Sequence, residues 1–307
     1  MILGNVITLL LGLLFLVIGS NFLVTATDNI SVKFKISGFM ASFFLIGMAT
    51  SAPEIFISIE SALQNKTELA IGNVLGSNIS NIAIVFCFSV LFLKSKQNMY
   101  IPKRSLSSLV LITIISFLLI TNDNQVNFLD AIILILAMIL ALLFMNDKHD
   151  TDMSDNNHMS VSMMLIYLSL GFGLLVYGAE FFILGATDIA IIFGISSYII
   201  GLTLTAIGTS LPELAASIQS AMRGRGDFIV GNIIGSNIFN ISIALSTAAI
   251  INIGIVQETE IIRDYILIFI TTMAFYLIMK SSNIVIKYII SLVVIIIYII
   301  YIYSVLI

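Results

Sequence analysis

The chain has 307 residues, of which 59% are hydrophobic and 10% charged, with a mean hydropathy of +1.13 and a formal net charge of −4. Such values lie outside the range of soluble globular domains and leave no room for a soluble domain, so an all-α, polytopic membrane protein is expected, with the lipid bilayer as its surroundings and neither a cofactor nor a nucleic-acid partner. The lone Cys87 sits in an apolar run, which excludes an intramolecular disulfide and a cysteine zinc site.

Residues 1–26 are apolar but lack the basic start of a signal peptide and are too long for its core, so they are read as a first span. Apolar runs between polar breaks then predict ten helices, at 2–26, 37–63, 68–93, 105–121, 127–146, 161–187, 196–222, 227–252, 261–279 and 284–306. Alternate breaks hold 11 of the 13 basic residues, from Lys33 and Lys35 to Lys280 and Lys287, leaving Lys66 and Arg263 for the other side. The positive-inside rule then puts both termini outside the cell membrane. The acidic stretch 147–160 is expected to be a cytoplasmic linker between two five-helix halves, 1–146 and 161–307. An odd number of crossings per half requires any similarity between them to be an inverted repeat.

That similarity is plain in the sequence. ThrSer-x-ProGlu at Thr50, Ser51, Pro53 and Glu54 recurs 159 residues later at Thr209, Ser210, Pro212 and Glu213. The same offset carries Gly72-Asn73 onto Gly231-Asn232, Gly76-Ser77-Asn78-Ile79 onto Gly235-Ser236-Asn237-Ile238, and Asn81 onto Asn240. Between Gly47/Ala206 and Asn81/Asn240, 15 of 35 positions are identical, and most of the matches are polar residues rather than the Leu and Ile that shared apolar composition would supply.

Glu54 and Glu213 fall near the middle of apolar spans, where a carboxylate costs about 2.5–3.5 kcal/mol on insertion scales. No Lys or Arg lies at similar depth in any predicted helix to pair with them, which leaves protons or bound cations as compensation. Pro53 and Pro212 are expected to kink their helices and free the carbonyls four residues earlier. Hydroxyl, carbonyl and carboxylate oxygens without sulfur or imidazole are the ligand set of Ca²⁺ or Na⁺ rather than zinc or copper. Asn73, Ser77 and Asn81, and likewise Asn232, Ser236 and Asn240, line one helix face each.

These paired segments resemble the alpha repeats of the calcium/cation antiporter superfamily, in particular its prokaryotic sodium/calcium exchangers, over essentially the whole chain. The resemblance implies ten transmembrane helices in two inverted five-helix repeats, and a non-enzymatic antiport of Ca²⁺ against Na⁺ by a monomer. It also implies a site in which Glu54 and Glu213, with backbone oxygens at Thr50 and Thr209, bind calcium. Ser51, Ser77, Thr209, Ser210 and Ser236, with carbonyls at Gly47 and Ala206, would serve flanking sodium positions, and Asn81 and Asn240 would line the centre. Some members carry Asp where this chain has Asn240, so the central charge here is −2. Proton-coupled members show a glutamate shortly after the GlyAsn pair, whereas Leu75-Gly76 and Ile234-Gly235 stand here, favouring the sodium-coupled branch. A proton- or potassium-coupled antiporter and, in another class, a cation channel are the competing readings. An intramembrane hydrolase is disfavoured because no intramembrane His is present.

Other signals have plainer explanations. Asp150, Asp152 and Asp155 lack the Gly and Glu of a calcium loop. His149 and His158 read as linker surface, and Asp28, Glu60, Glu180 and Asp188 as helix-end residues in interfacial water. Asn65 opens an Asn-Lys-Thr sequon, a motif common by chance.

Overall fold

The computed structural model describes residues 2–93, 99, 102–145, 159–194, 208–252, 254–255 and 258–306. In chain order its helices are α1 (Ile2–Phe34), α2 (Gly38–Thr50), α3 (Ala52–Leu63), α4 (Thr67–Leu91), α5 (Lys103–Asp123), α6 (Phe128–Phe144), α7 (Val161–Ile192), α8 (Leu211–Met222), α9 (Gly226–Ile251), α10 (Glu258–Lys280) and α11 (Ile284–Leu306). Seven are long and apolar enough to cross a membrane, and α2–α3, bent by 41° at Ser51, makes an eighth when its halves count as one span. The expected helix over 196–222 is described only from Gly208, and of the linker 147–160 only the last two residues are described, so His149, His158 and the acidic run lie outside the described residues.

The all-α expectation needs one small correction. Two residues of β1 (Gln125–Val126) pair antiparallel with β2 (Gly254–Ile255), clipping the α5–α6 turn to the segment between α9 and α10. Helices α1 and α7 also run past their expected ends at 26 and 187, so Glu180 lies well inside α7 rather than at its end.

The bundle is layered by lipid exposure. Of the most apolar stretch of each helix, 94% is buried in α9 and 78% in α4, against 17% in α1 and 22% in α7 and α11. Outer helices turn side chains such as Leu3, Val17, Leu143 and Ile300 outward. The polar GlySerAsn-bearing helices are thus the innermost, the arrangement that keeps hydrogen-bonding groups away from hydrocarbon.

The 159-residue offset reappears as structure. The twelve-residue helix α3 maps onto α8, and Thr67–Ser80 followed by a π-helical stretch at Asn81–Phe86 maps onto Gly226–Phe239 followed by one at Asn240–Ala244. Even the turns agree. Asn65 and Gly224, equivalent by the offset, both take positive φ (58° and 76°), and the next N–H returns to Ser61 O at 2.8 Å or Ser220 O at 2.9 Å, the Schellman closure of a helix end. Asn65 is therefore a turn residue, and its Oδ1 accepts from Asn252 Nδ2 at 2.9 Å.

Helices α1 and α7 form an antiparallel pair held by glycines seven residues apart. Gly12 lies against Gly178, Gly19 against Gly171, and Gly185 against Asn5 and Leu9. A Cβ on Gly19 would sit 2.9 Å from Gly171 O, and one on Gly171 would sit 2.7 Å from Leu23 N, so the backbones touch without side chains between them. At one end of this pair, Asp28 is not left to interfacial water as expected. It pairs with Arg225, which also holds Asp227 at 2.8 Å and lies 3.7 Å over the Phe228 ring. Arg223 reaches Asn21 and Thr25 of α1 alongside.

The seam makes a sharp contrast testable within one helix. Gly171→Val is expected to destabilise the detergent-solubilised protein by about 1–3 kcal/mol, the usual cost of overpacking. Gly173→Val, where nothing lies within 4 Å of the added Cβ, should leave the thermal midpoint unchanged.

Candidate cation site

The ThrSer-x-ProGlu segments sit where helices break. α2 stops at Thr50, Ser51 turns with φ −78° and ψ −4°, and α3 restarts at Ala52. Ser210 makes the same turn before α8, with φ −87° and ψ 4°. Pro53 and Pro212 occupy the first turn of α3 and α8, where a missing N–H costs nothing and the fixed φ suits the helix. The expected kink within one helix is, at Pro53, the start of a second half-helix. Glu54 and Glu213 consequently stand in the first turns of α3 and α8, where the helix dipole favours a carboxylate.

Both glutamates are fully buried, and none of their four carboxylate oxygens has a hydrogen-bond donor or an ion-pair partner among the described residues. Around them Ser51 Oγ, Asn81 Oδ1 and both polar atoms of the Asn240 amide are also buried without partners. Unsatisfied polar groups buried at this density mark a site built for something else to bind.

Other predicted residues are held within the protein. The Gly47 carbonyl accepts from Ser51 N–H at 3.1 Å and from Ser236 Oγ at 3.3 Å. Thr50 Oγ1 donates to Asn232 Oδ1 at 3.3 Å and lies 3.5 Å from Ser236 Oγ. Ser77 is buried on α4, and Ser210 Oγ contacts Ser80 Oγ at 2.8 Å. Ala206 lies outside the described residues.

Sequence reasoning placed Asn73 and Asn232 on their helix faces but missed Ser58 and Ser217, the serines they bond in holding the half-helices. Asn73 Nδ2 donates to Glu54 O at 3.2 Å and to Ser58 Oγ at 3.4 Å, while Asn232 Nδ2 donates to Glu213 O at 3.3 Å and to Ser217 Oγ at 2.8 Å. Ser58 and Ser217 are identical under the offset, a signal that could have found them. Asn78 and Asn237 are likewise equivalent. Asn237 Oδ1 accepts from Asn81 at 3.0 Å and its Nδ2 donates to Asn78 O at 3.4 Å, so the two inner helices meet through their repeated asparagines. Asn81 and Asn240 each open a π stretch, the wide turn that recurs at functional sites in helices.

Comparison with known proteins agrees with this arrangement. The family model described as "Sodium/calcium exchanger protein" matches residues 4–146 and 163–307, nearly the whole chain. The chain belongs to the sodium/calcium exchanger family. Among the exchanger's relatives, it is 31% identical to inner membrane protein YrbG of Escherichia coli over 88% of this chain and 86% of that one. It is 27% identical to sodium/calcium exchanger MaX1 of Methanosarcina acetivorans over 81% and 84%. A solved structure of the sodium-calcium exchanger NCX_Mj, soaked with 2.5 mM Na⁺ and 10 mM Sr²⁺, superposes with a TM-score of 0.82 at 30% identity, covering 99% of each chain.

The asparagine clamps differ in burial, and their removal should differ accordingly. Asn232 is 1% exposed and makes the shorter bond to its serine. Asn232→Ala is expected to lower stability by about 1–3 kcal/mol, the cost of leaving buried groups unsatisfied, and Asn73→Ala, on a partly exposed face, by less. Thermal unfolding of the two purified variants side by side checks the order.

Proposed function

We propose that this member of the family carries out its exchange of Ca²⁺ for Na⁺ at the paired glutamates, binding either one Ca²⁺ or Na⁺ ions in its place between Glu54 and Glu213. The observation that carries the reading is the pair of fully buried carboxylates with no donor and no cationic side chain on any of their four oxygens among the described residues. Two negative charges are balanced by one Ca²⁺ or two Na⁺, which makes the two ions competitors for one set of hard oxygen ligands. Backbone oxygens of Thr50 and Thr209 join the glutamates at the calcium position, Ser51, Ser77, Thr209, Ser210 and Ser236 with the carbonyls of Gly47 and Ala206 serve flanking sodium positions, and the amides of Asn81 and Asn240 line the centre. For Gly47 to contribute, Ser236 must turn its hydroxyl away from the carbonyl it now donates to.

The finer architecture belongs to the same proposal: ten transmembrane helices in two inverted repeats, 1–146 and 161–307, joined by a cytoplasmic linker, acting as a monomer with both termini outside. The antiparallel packing of α1 on α7, which the 159-residue offset makes equivalent, supports the inversion. The alternation of basic residues supports the orientation. Transport then follows by alternating access, with the α1–α7 pair moving across the core of α2–α4 and α8–α9. A bound cation neutralises the glutamates for the passage, whereas the bare site carries two charges through an apolar barrier, so the cycle turns only when loaded.

Radiolabelled calcium uptake into proteoliposomes loaded in turn with sodium, potassium or protons tests this. Uptake driven by internal sodium, lost in Glu54→Gln and in Glu213→Gln, is the expected result. Normal uptake by either variant would sink the glutamate assignment, and uptake without a counter-gradient would make the protein a channel.

Binding has its own signature. Calcium at about 100 times its dissociation constant should stabilise the solubilised wild type by about 2.7 kcal/mol, and Glu213→Gln should show little of that gain.

A further inference from the structure

Ser80 breaks the repeat. Its counterpart under the 159-residue offset is Phe239, inside otherwise matching GlySerAsnIle-x-Asn segments. In one half that position is filled by an aromatic ring, Phe239 packing on Phe43 with centroids 5.1 Å apart. In the other it carries a hydroxyl beside the cation site.

The direction of the hydrogen bonds follows from proton counting. Ser80 Oγ is buried and lies 3.0 Å from Ser77 O and 2.8 Å from Ser210 Oγ. A hydroxyl has one proton, and the Ser77 carbonyl can only accept, so Ser80 donates there. Both contacts are hydrogen bonds at once only when Ser210 donates to Ser80, which is the direction taken here. Ser210 precedes α8 at the position where a serine oxygen ordinarily caps the helix by accepting a backbone N–H, yet it makes no capping bond. With its proton committed to Ser80, it presents only lone pairs in its remaining directions. Ser51, its equivalent, has a buried hydroxyl with no hydrogen-bond partner among the described residues to fix which way its proton turns.

We propose that Ser80 is a positioning residue for sodium: it holds the Ser210 hydroxyl as a preoriented oxygen ligand, making the Ser210 side of the site a tighter sodium position than the Ser51 side. This rests on the assignment of Ser210 to a flanking sodium position under the proposed function. A ligand already turned toward the ion spares the ordering that a free rotor must undergo on binding.

The test is calcium uptake into proteoliposomes over a range of internal sodium. Ser80→Ala is expected to raise the half-saturating sodium concentration about fivefold, the factor matching one neutral hydrogen bond, while half-saturating calcium stays within about twofold. Ser80→Thr, which keeps the hydroxyl, should restore the wild-type sodium dependence. In a Ser210→Ala background, Ser80→Ala should add nothing, because its effect runs through that hydroxyl. Should the alanine variant fail to reach the membrane, Ser80→Cys, close in volume and a weak hydrogen-bonding group, takes its place with the same expected shift. An unchanged sodium dependence, an equal rise for calcium, or an effect that persists without the Ser210 hydroxyl each overturns the proposal. Glu213→Gln run in parallel keeps the two readings apart: transport retained there overturns the glutamate assignment, whatever Ser80→Ala does.

Discussion

Two carboxylates, Glu54 and Glu213, lie in the interior of an apolar bundle with no donor and no basic side chain on any oxygen among the described residues, and much of the surrounding structure can be understood as what makes that tolerable. The first-turn dipoles of α3 and α8 offset part of the cost, each typically by about 0.3–1 kcal/mol, which is less than insertion of a bare carboxylate demands. On the proposed function, the remainder would fall to the bound cation. Helix breaks at Ser51 and Ser210 are what allow the acids to stand at half-helix starts, so the discontinuity in the backbone and the charge in the site are one feature.

A site of this kind must be sealed from lipid and still change its exposure. Sealing comes from close backbone packing: a Cβ on Gly235 would lie 2.7 Å from Phe43 O, which sets α2 directly against α9. Asn73 and Asn232 then fasten the glutamate backbones to the neighbouring helices. The α1–α7 pair is different in kind. Its backbone-to-backbone contacts are within the pair, along the glycine seam, while Leu16, Leu23 and Leu175 pack on Ile46, Leu211 and Phe228 of the core, and Arg223 and Arg225 bind α1 to the turn between α8 and α9 through polar contacts at one end. Those contacts can exchange partners with water, whereas the glycine seam cannot open without leaving voids.

Much of this was legible in the chain because the repeat is written in polar residues. Glu54 and Glu213 stand out against apolar spans, and the offset located the half-helices, the inner helices and their asparagines without any contact information. What stayed hidden has identifiable causes. A proline in an apolar run reads equally as a kink or as the first turn of a new helix, and only the conformation of Ser51 decides. The π stretches at Asn81 and Asn240 leave no compositional mark. Arg225 and Asp28 are separated by 197 positions, and nothing in either neighbourhood announces the other. Ser80 was visible as a mismatch in the alignment, but its meaning depends on which oxygen donates, which sequence does not carry.

The residue at 240 has an electrical consequence. With Asn at both central positions the site carries two formal charges, so a calcium-loaded site is neutral and its movement across the membrane does no work against the potential. Each sodium beyond the second adds a full positive charge, for which a field of 100 mV is worth about 2.3 kcal/mol. In an exchanger built on that proposed site the voltage sensitivity of the cycle rests on the sodium-loaded passage, and an acid at position 240 would transfer part of it to the calcium-loaded one.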